Sequence, residues 1–199
     1  MSALTPQFEN YLKAIWSDEE WGRVATNGSL AERLGLAPSS VTESVRKLRD
    51  AGLIEHRPYG AVTLTAAGRA AAAGIVRKHR LIETFLVEYL GYSWDEVHEE
   101  AEVLEHAVSD AFAERLFDRL GRPKRDPHGD PIPGADGEVR GRADLALEEV
   151  PAGTRVRIAR VSDAAPGLLA ALDAAGLAIG DELVAGDRAF IPGIRVLPA

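Results

Sequence analysis

The first third of the chain alternates apolar and polar positions at helical spacing. Phe8, Leu12 and Ile15 predict an amphipathic helix over about residues 6–18. Ser29-Leu-Ala-Glu32 reads as a capping box, Ser29 holding a backbone N–H and Glu32 reaching back. It opens a short helix to Leu34 that Gly35 ends. Pro38 stands where a first helical turn tolerates proline. Val41, Val45 and Leu48 then give the buried stripe of a third helix, which ends at Gly52. Two β-rich runs between Leu53 and Thr65 flank Pro58-Tyr-Gly60 and predict a hairpin. Thr65 can cap a fourth, alanine-rich helix over about 66–89, broken by Gly91. A further helical stretch begins at Ser93 or Trp94 and continues with little pause to about Gly121.

Beyond it the pattern changes. A loop rich in Pro, Gly and Asp runs from Pro123 to Gly137, and the stretch to Glu149 reads as a linker. Short β-type runs follow at Val156-Arg-Ile, Glu182-Leu-Val, Ala189-Phe-Ile and Ile194-Arg-Val, with a helical Leu168-Leu-Ala-Ala-Leu172 between them. These predict a small β-barrel. The fold class is therefore mainly α with β. Three parts are expected: 1–72, a winged helix-turn-helix; 73–140, a helical layer; 141–199, a linker and small β-domain.

The order helix, short helix, turn, helix, hairpin changes what the polar positions mean. In a winged helix-turn-helix the helix after the turn lies in the major groove. With Val41, Val45 and Leu48 inward, Ser39, Ser40, Thr42, Glu43, Arg46 and Lys47 face outward. Small hydroxyls allow close approach to base edges or phosphates, and Arg46 and Lys47 suit phosphate or guanine. Arg57 and Tyr59 at the hairpin tip are placed to touch the flanking backbone. An ordinary helical packing with a solvated polar face is the plain alternative.

Charge sharpens the division. The chain of 199 residues carries a net charge of −8, unevenly spread. Residues 1–80 hold 11 Lys/Arg against 8 Asp/Glu, and residues 81–199 hold 12 against 23. The front can meet phosphate and the back can meet cations. There is no cysteine, which excludes disulfides and thiolate metal sites and fits a cytoplasmic location. No stretch has the length of a membrane span, and the polar segment Met1 to Tyr11 lacks the apolar core of a signal peptide.

The acidic half carries candidate metal chemistry. Residues three and four apart share a helix face, so His98, Glu102, Glu105 and His106 make one stripe of nitrogen and oxygen donors. His79 and Glu83 form a second pair on the preceding helix. His128 lies in Asp126-Pro-His-Gly-Asp130. A solvated acidic face is the bland reading. Two His–carboxylate pairs on neighbouring helices favour a metal. There is no His-Glu-x-x-His, and no nucleophile or base motif supports a metal-dependent hydrolase.

At this point the chain resembles the diphtheria-toxin-repressor family of iron- and manganese-dependent regulators, and within it the manganese transport regulators. The resemblance rests on Ala37-Pro-Ser-Ser-Val-Thr42, Gly60-Ala-Val-Thr-Leu-Thr65, Arg77-Lys-His-Arg-Leu81 with Glu83, Trp94-Asp-Glu-Val-His98, Glu102-Val-Leu-Glu-His-Ala-Val-Ser-Asp110 and Asp126-Pro-His-Gly-Asp-Pro-Ile-Pro-Gly134. It implies a helical dimerisation domain and an SH3-like C-terminal domain similar to small ferrous-transport accessory domains. It implies one metal site of Glu102, Glu105 and His106 with Asn10 of the first helix, and another of His79, Glu83 and His98. Asp126, His128 and Asp163 occupy places that some manganese regulators of the family also use. Iron-type members carry Cys or Met where this chain has Glu102 and Asn10, which favours a hard ion. Shorter manganese-type members place acids where this chain has Asn10 and Lys13, and a protonated Lys13 cannot ligate.

The resemblance thus implies a homodimeric repressor that binds double-stranded operator DNA when Mn2+ is bound and controls metal-homeostasis genes, with no membrane partner and no enzymatic activity. In that scheme the ion draws the first helix, through Asn10, onto the dimerisation helices. The two recognition helices then match successive major grooves, about 34–36 Å apart or a multiple. An Fe2+-dependent regulator is the alternative within the family. A winged helix that recruits protein partners is a further one.

Overall fold

The computed structural model describes residues 4–57, 60–139, 144–165, 167–186 and 192–199. The chain folds as two compact units. One is Met1–Arg77 with Pro133–Glu138, and the other is Lys78–Ile132 with Val139–Ala199.

The first unit is built from α1 (Pro6–Glu20), α2 (Asn27–Leu34), α3 (Pro38–Asp50), the hairpin strands β1 (Ile54–His56) and β2 (Val62–Leu64), and the start of α4 (Ala66–Leu90). Tyr11, Leu12, Ile15, Leu30, Val41, Val45, Leu48, Ile54 and Val62 form its core. The expected stripe of α3 is therefore the buried one. Thr5 caps α1, its hydroxyl accepting from Phe8 N. The cap of α2 differs from the expectation. Thr26 is the N-cap and Ser29 is the third helical residue, and the two side chains satisfy each other's backbone N–H groups. A serine at that position reaches back as Glu would, so the box lies three residues earlier than the Ser29–Glu32 reading.

Pro38 opens α3, and Gly52 follows its end at φ +73°, a conformation that favours glycine. β1 and β2 pair antiparallel, Glu55 opposite Thr63. Glu19 of α1 holds this hairpin, its Oε1 accepting from Leu64 N at 2.9 Å, and also pairs with Arg69 of α4. Thr65 caps α4 as expected, accepting from Gly68 N.

The second unit contains the rest of α4, then α5 (Val97–Leu104) and α6 (Asp110–Arg119). The single helical stretch expected over 93–121 is thus two helices. Ser109 caps the second, accepting from Phe112 N, which stops the first from running through. Leu81, Ile82, Leu86, Val97, Ala101, Ala113 and Leu116 form the core of this layer.

The C-terminal strands are β3 (Leu145–Ala146), β4 (Arg155–Val161), β5 (Glu182–Val184) and β6 (Ile194–Pro198), with α7 (Leu168–Ala174). They form one antiparallel sheet in the order β3-β6-β4-β5. Val156, Ile158, Val161, Leu168, Leu172, Ile194 and Val196 pack under it. The expected SH3-like barrel appears, among the described residues, as an open four-stranded sheet. The run Ala189-Phe-Ile lies outside the described residues. The expected linker is partly structured, since β3 pairs with β6 and a 3-10 turn spans Leu147–Glu149. β4 carries an extra residue at Ala159, where its register against β6 shifts between Ile158 and Arg160.

Candidate metal centre and nucleic-acid surface

Glu83 is the centre of the donor cluster. It lies on α4 and is only 1% exposed. A turn earlier, His79 places Nε2 at 3.0 Å from Glu83 Oε1. His98, at the start of α5, brings Nδ1 to 3.4 Å from the same oxygen and 3.0 Å from Asp163 Oδ2, just past β4. His128 approaches the other oxygen of Glu83 with Nδ1, at 3.8 Å. Two groups of donor atoms therefore meet at Glu83. One is His79, Glu83, His98 and Asp163; the other is Glu83, Asp126 and His128. Within each group the atoms lie within 4.8 Å of one another.

The loop 126–130 fixes its two members firmly. Asp126 Oδ1 accepts from the backbone N–H groups of His128 and Asp130, both at 2.9 Å. His128 Nε2 donates to the Trp94 carbonyl at 2.7 Å, which leaves Nδ1 facing Glu83. Sequence reasoning did not find that carbonyl, since a backbone acceptor leaves no mark in the residue pattern.

A third group is His79, Glu102 and Glu105. Glu105 is 2% exposed and sets Oε2 at 2.5 Å from His79 Nδ1. Its Oε1 lies 3.5 Å from His106 Nε2. Glu102 Oε1 lies 3.3 Å from His98 Nε2. The helical stripe expected from spacing continues only to Glu105, because α5 ends at Leu104 and Glu105 is its C-cap. The two ligand sets implied by the resemblance are joined here, with His79 facing both Glu83 and Glu105. Asn10 lies on α1 in the first unit, and the cluster belongs entirely to the second.

These groups can hold a divalent cation. The cluster offers carboxylate oxygens and imidazole nitrogens, with several acids in a buried space and no thiolate. Histidines and Arg80 lie against these carboxylates and shift their titration. Burial opposes charging His98, but hydrogen bonds to Asp163, Glu102 and Glu83 prevail and push its pKa up to about 12. Burial likewise opposes a charge on His128, while its bond to Glu83 and the fields of Glu83, Asp126 and Asp163 raise it to about 10. Burial would raise Glu83, yet His79, His128 and His98 hold it well below the ordinary value. Asp163 is also held below its ordinary value, burial being outweighed by His98. Asp126 is pushed well above it by burial and by the charges of Asp130 and Glu83, against the pull of Arg80 and His128.

On the first unit, Ser39, Ser40, Thr42, Arg46 and Lys47 are all exposed along α3, as is Arg57 after β1. Tyr59 lies outside the described residues. The surface is less freely charged than the sequence suggests. Lys47 Nζ lies 2.7 Å from Glu43, and Arg46 lies 3.9 Å from Asp50. The bond to Lys47 lowers the pKa of Glu43. The Thr42 hydroxyl donates to Pro38 O and accepts from Asn27 Nδ2.

Two family patterns match the chain. "Iron dependent repressor, N-terminal DNA binding domain" covers residues 3–62, and "Iron dependent repressor, metal binding and dimerisation domain" covers 65–134. The iron-dependent repressor IdeR of Mycobacterium tuberculosis is 36% identical over 165 residues, spanning 79% of this chain and 72% of that protein. A solved structure described as a manganese-dependent transcriptional repressor in complex with manganese is 43% identical. It aligns with a TM-score of 0.87 over 96% of this chain and 100% of that one. The manganese regulator SloR is 34% identical, with a TM-score of 0.83 over 98% and 100%. The helices of the first unit and strand β1 fall within the two matched regions, as do the helices that carry His79, Glu83 and His98, and Glu105 at the end of α5. The chain belongs to the iron-dependent, or diphtheria-toxin, repressor family of metal-dependent, DNA-binding transcriptional repressors, whose members are not enzymes.

Proposed function

We propose that the protein is a manganese-responsive repressor that binds operator DNA as a homodimer in the cytoplasm. The donor set carries this reading. Glu83, Glu102, Glu105, Asp126 and Asp163 are hard oxygen donors and His79, His98 and His128 supply nitrogen, with His106 beside Glu105 and no cysteine in the chain. Hard donors in number suit Mn2+, and softer sulfur ligands that reward later transition metals are missing. Similarity to manganese-dependent repressors of known structure supports the same choice. Fe2+ remains the alternative, favoured by the relatives named iron-dependent.

A bound divalent ion would supply the positive charge that relieves repulsion among the buried carboxylates. The chain's own residues prepare for that role. Trp94 C=O orients His128, the two loop amides hold Asp126, and Glu105 turns His79. Asn10 completes the ligand set implied by family resemblance. On the DNA side we assign base and phosphate contacts to Ser39, Ser40, Thr42, Arg46, Lys47, Arg57 and Tyr59. Tyr89, Leu90, Val103 and Phe112 are large apolar side chains left exposed on the helical layer, which suits a second copy of the chain. Functionally, 1–72 reads DNA, 73–140 binds metal and dimerises, and 141–199 supplies Asp163.

The test is anaerobic titration of labelled operator DNA with Mn2+, Fe2+ and Zn2+, using wild type, Asn10→Ala and Glu102→Cys. Mn2+ should activate wild type fully, and Zn2+, which prefers four ligands, should activate it poorly. Glu102→Cys should move the response toward Fe2+, and Asn10→Ala should weaken activation by any ion. Activation of wild type by Fe2+ and not by Mn2+ would overturn the assignment.

A further inference from the structure

The loop that carries Asp126 and His128 is fastened to β4 at its extra residue. Gly129 sits at φ +84°, and a Cβ there would lie 2.1 Å from Ala159 O, a backbone atom that cannot give way cheaply. Beside it, Val161 N donates to His128 O at 2.9 Å. Arg160, between these two contacts, donates through Nε to Asp130 Oδ1 at 2.5 Å and is 5% exposed. Asp130 Oδ2 in turn pairs with Arg80 of α4, one residue after His79. The other face of Arg160 meets Asp144 at 3.6 Å.

These contacts share one geometrical result. The bulge turns the Ala159 carbonyl and the Arg160 side chain toward the loop, and three residues past Arg160 the chain delivers Asp163 to His98. The strand that supplies Asp163 and the loop that supplies His128 are therefore clamped together before either reaches Glu83. We infer that Arg160 is a positioning residue for the metal site, clamping the 126–130 loop onto the β4 bulge so that Asp163 and His128 converge on Glu83. It acts through Asp130 and the backbone, and Gly129 permits the approach. Arg is suited to this because its planar fork can face Asp130 and Asp144 together, where lysine offers a point charge.

The inference rests on the proposed roles of Asp163 and His128 as metal-site residues. It is tested on the full chain with Mn2+ alone, reading free ion by electron paramagnetic resonance. Wild type, Arg160→Met, Arg160→Lys, Gly129→Ala and Asp163→Ala are compared, with far-UV circular dichroism on each. Loss of an orienting group beyond the ligands should weaken binding about tenfold to a hundredfold. Arg160→Met and Gly129→Ala should lose affinity to that extent in the binding class that Asp163→Ala removes. The remaining class should be unchanged, and Arg160→Lys should recover part of the loss. An Arg160→Met isotherm that matches wild type while Asp163→Ala is weakened would overturn the clamp alone. Equal weakening of every class in Arg160→Met, with lost helicity, would reduce Arg160 to general scaffolding and overturn it too. If Asp163→Ala binds Mn2+ as wild type does, the proposed site itself fails and the clamp falls with it.

Discussion

Metal binding should expel protons, and the amount can be worked from two histidines. A ligating imidazole nitrogen must be free of its proton. His128 gives the firmer case because it is 2% exposed and held between Trp94 O and Glu83. With its pKa at about 10, stripping the proton at pH 7 opposes the ion by about three powers of ten, on the order of 4 kcal/mol. His98 is pushed up to about 12, but its side chain is 38% exposed, so solvent screening trims its share. Apparent Mn2+ affinity should therefore rise about tenfold per pH unit for each of these histidines that ligates, across about pH 7–9.

The effect on the metal-free protein runs the other way. Raised folded pKa values mean that both histidines contribute stability fully below their unfolded value near 6.5. That contribution is lost as pH rises through about 10 and about 12. The rise in Tm on adding Mn2+ should accordingly grow from pH 7 to 9. Calorimetric titration in buffers of different ionisation enthalpy, under anaerobic conditions, counts the protons released. One to two per chain are expected from these residues, and His128→Gln should release one fewer. Zero net release, or an affinity flat with pH, would refute the reasoning.

Two further outcomes are expected from the first unit. Arg46→Ala or Lys47→Ala should weaken operator binding and lower the slope of log affinity against log salt by about one, as read by fluorescence anisotropy, while Mn2+ binding stays unchanged. Leu48→Ala empties a fully buried position of α3 and should destabilise this unit by about 2–5 kcal/mol, measured by urea denaturation.

Local chemistry was the legible part of the sequence. The stripe Val41, Val45, Leu48 reports its own burial because a helix repeats every few residues whatever surrounds it. Gly52 and Thr65 mark boundaries for the same reason. The cap of α2 misled because Thr26 and Ser29 both fit the motif, and only the backbone decides which hydroxyl stands outside the helix. The break after Leu104 was obscured by helix-forming residues on both sides, although Ser109 was a readable signal for it. Within the site, His79 with Glu83 and His98 with Glu102 followed from spacing. Asp163 is distant in sequence, and only family resemblance pointed to it. Arg80, Asp130 and Arg160 received no individual role from spacing or charge pattern, yet all three are buried.

His79 holds its place in a way that admits no half measure. Its ring turns one nitrogen to Glu105 and the opposite one to Glu83. Rotating the imidazole by half a turn would exchange both nitrogens for carbon at once. Each carboxylate is almost wholly shut away from water, so neither could find a replacement partner from solvent. The ring has one acceptable setting and no gradual path away from it. Such a part behaves as a key in a lock rather than as a hinge.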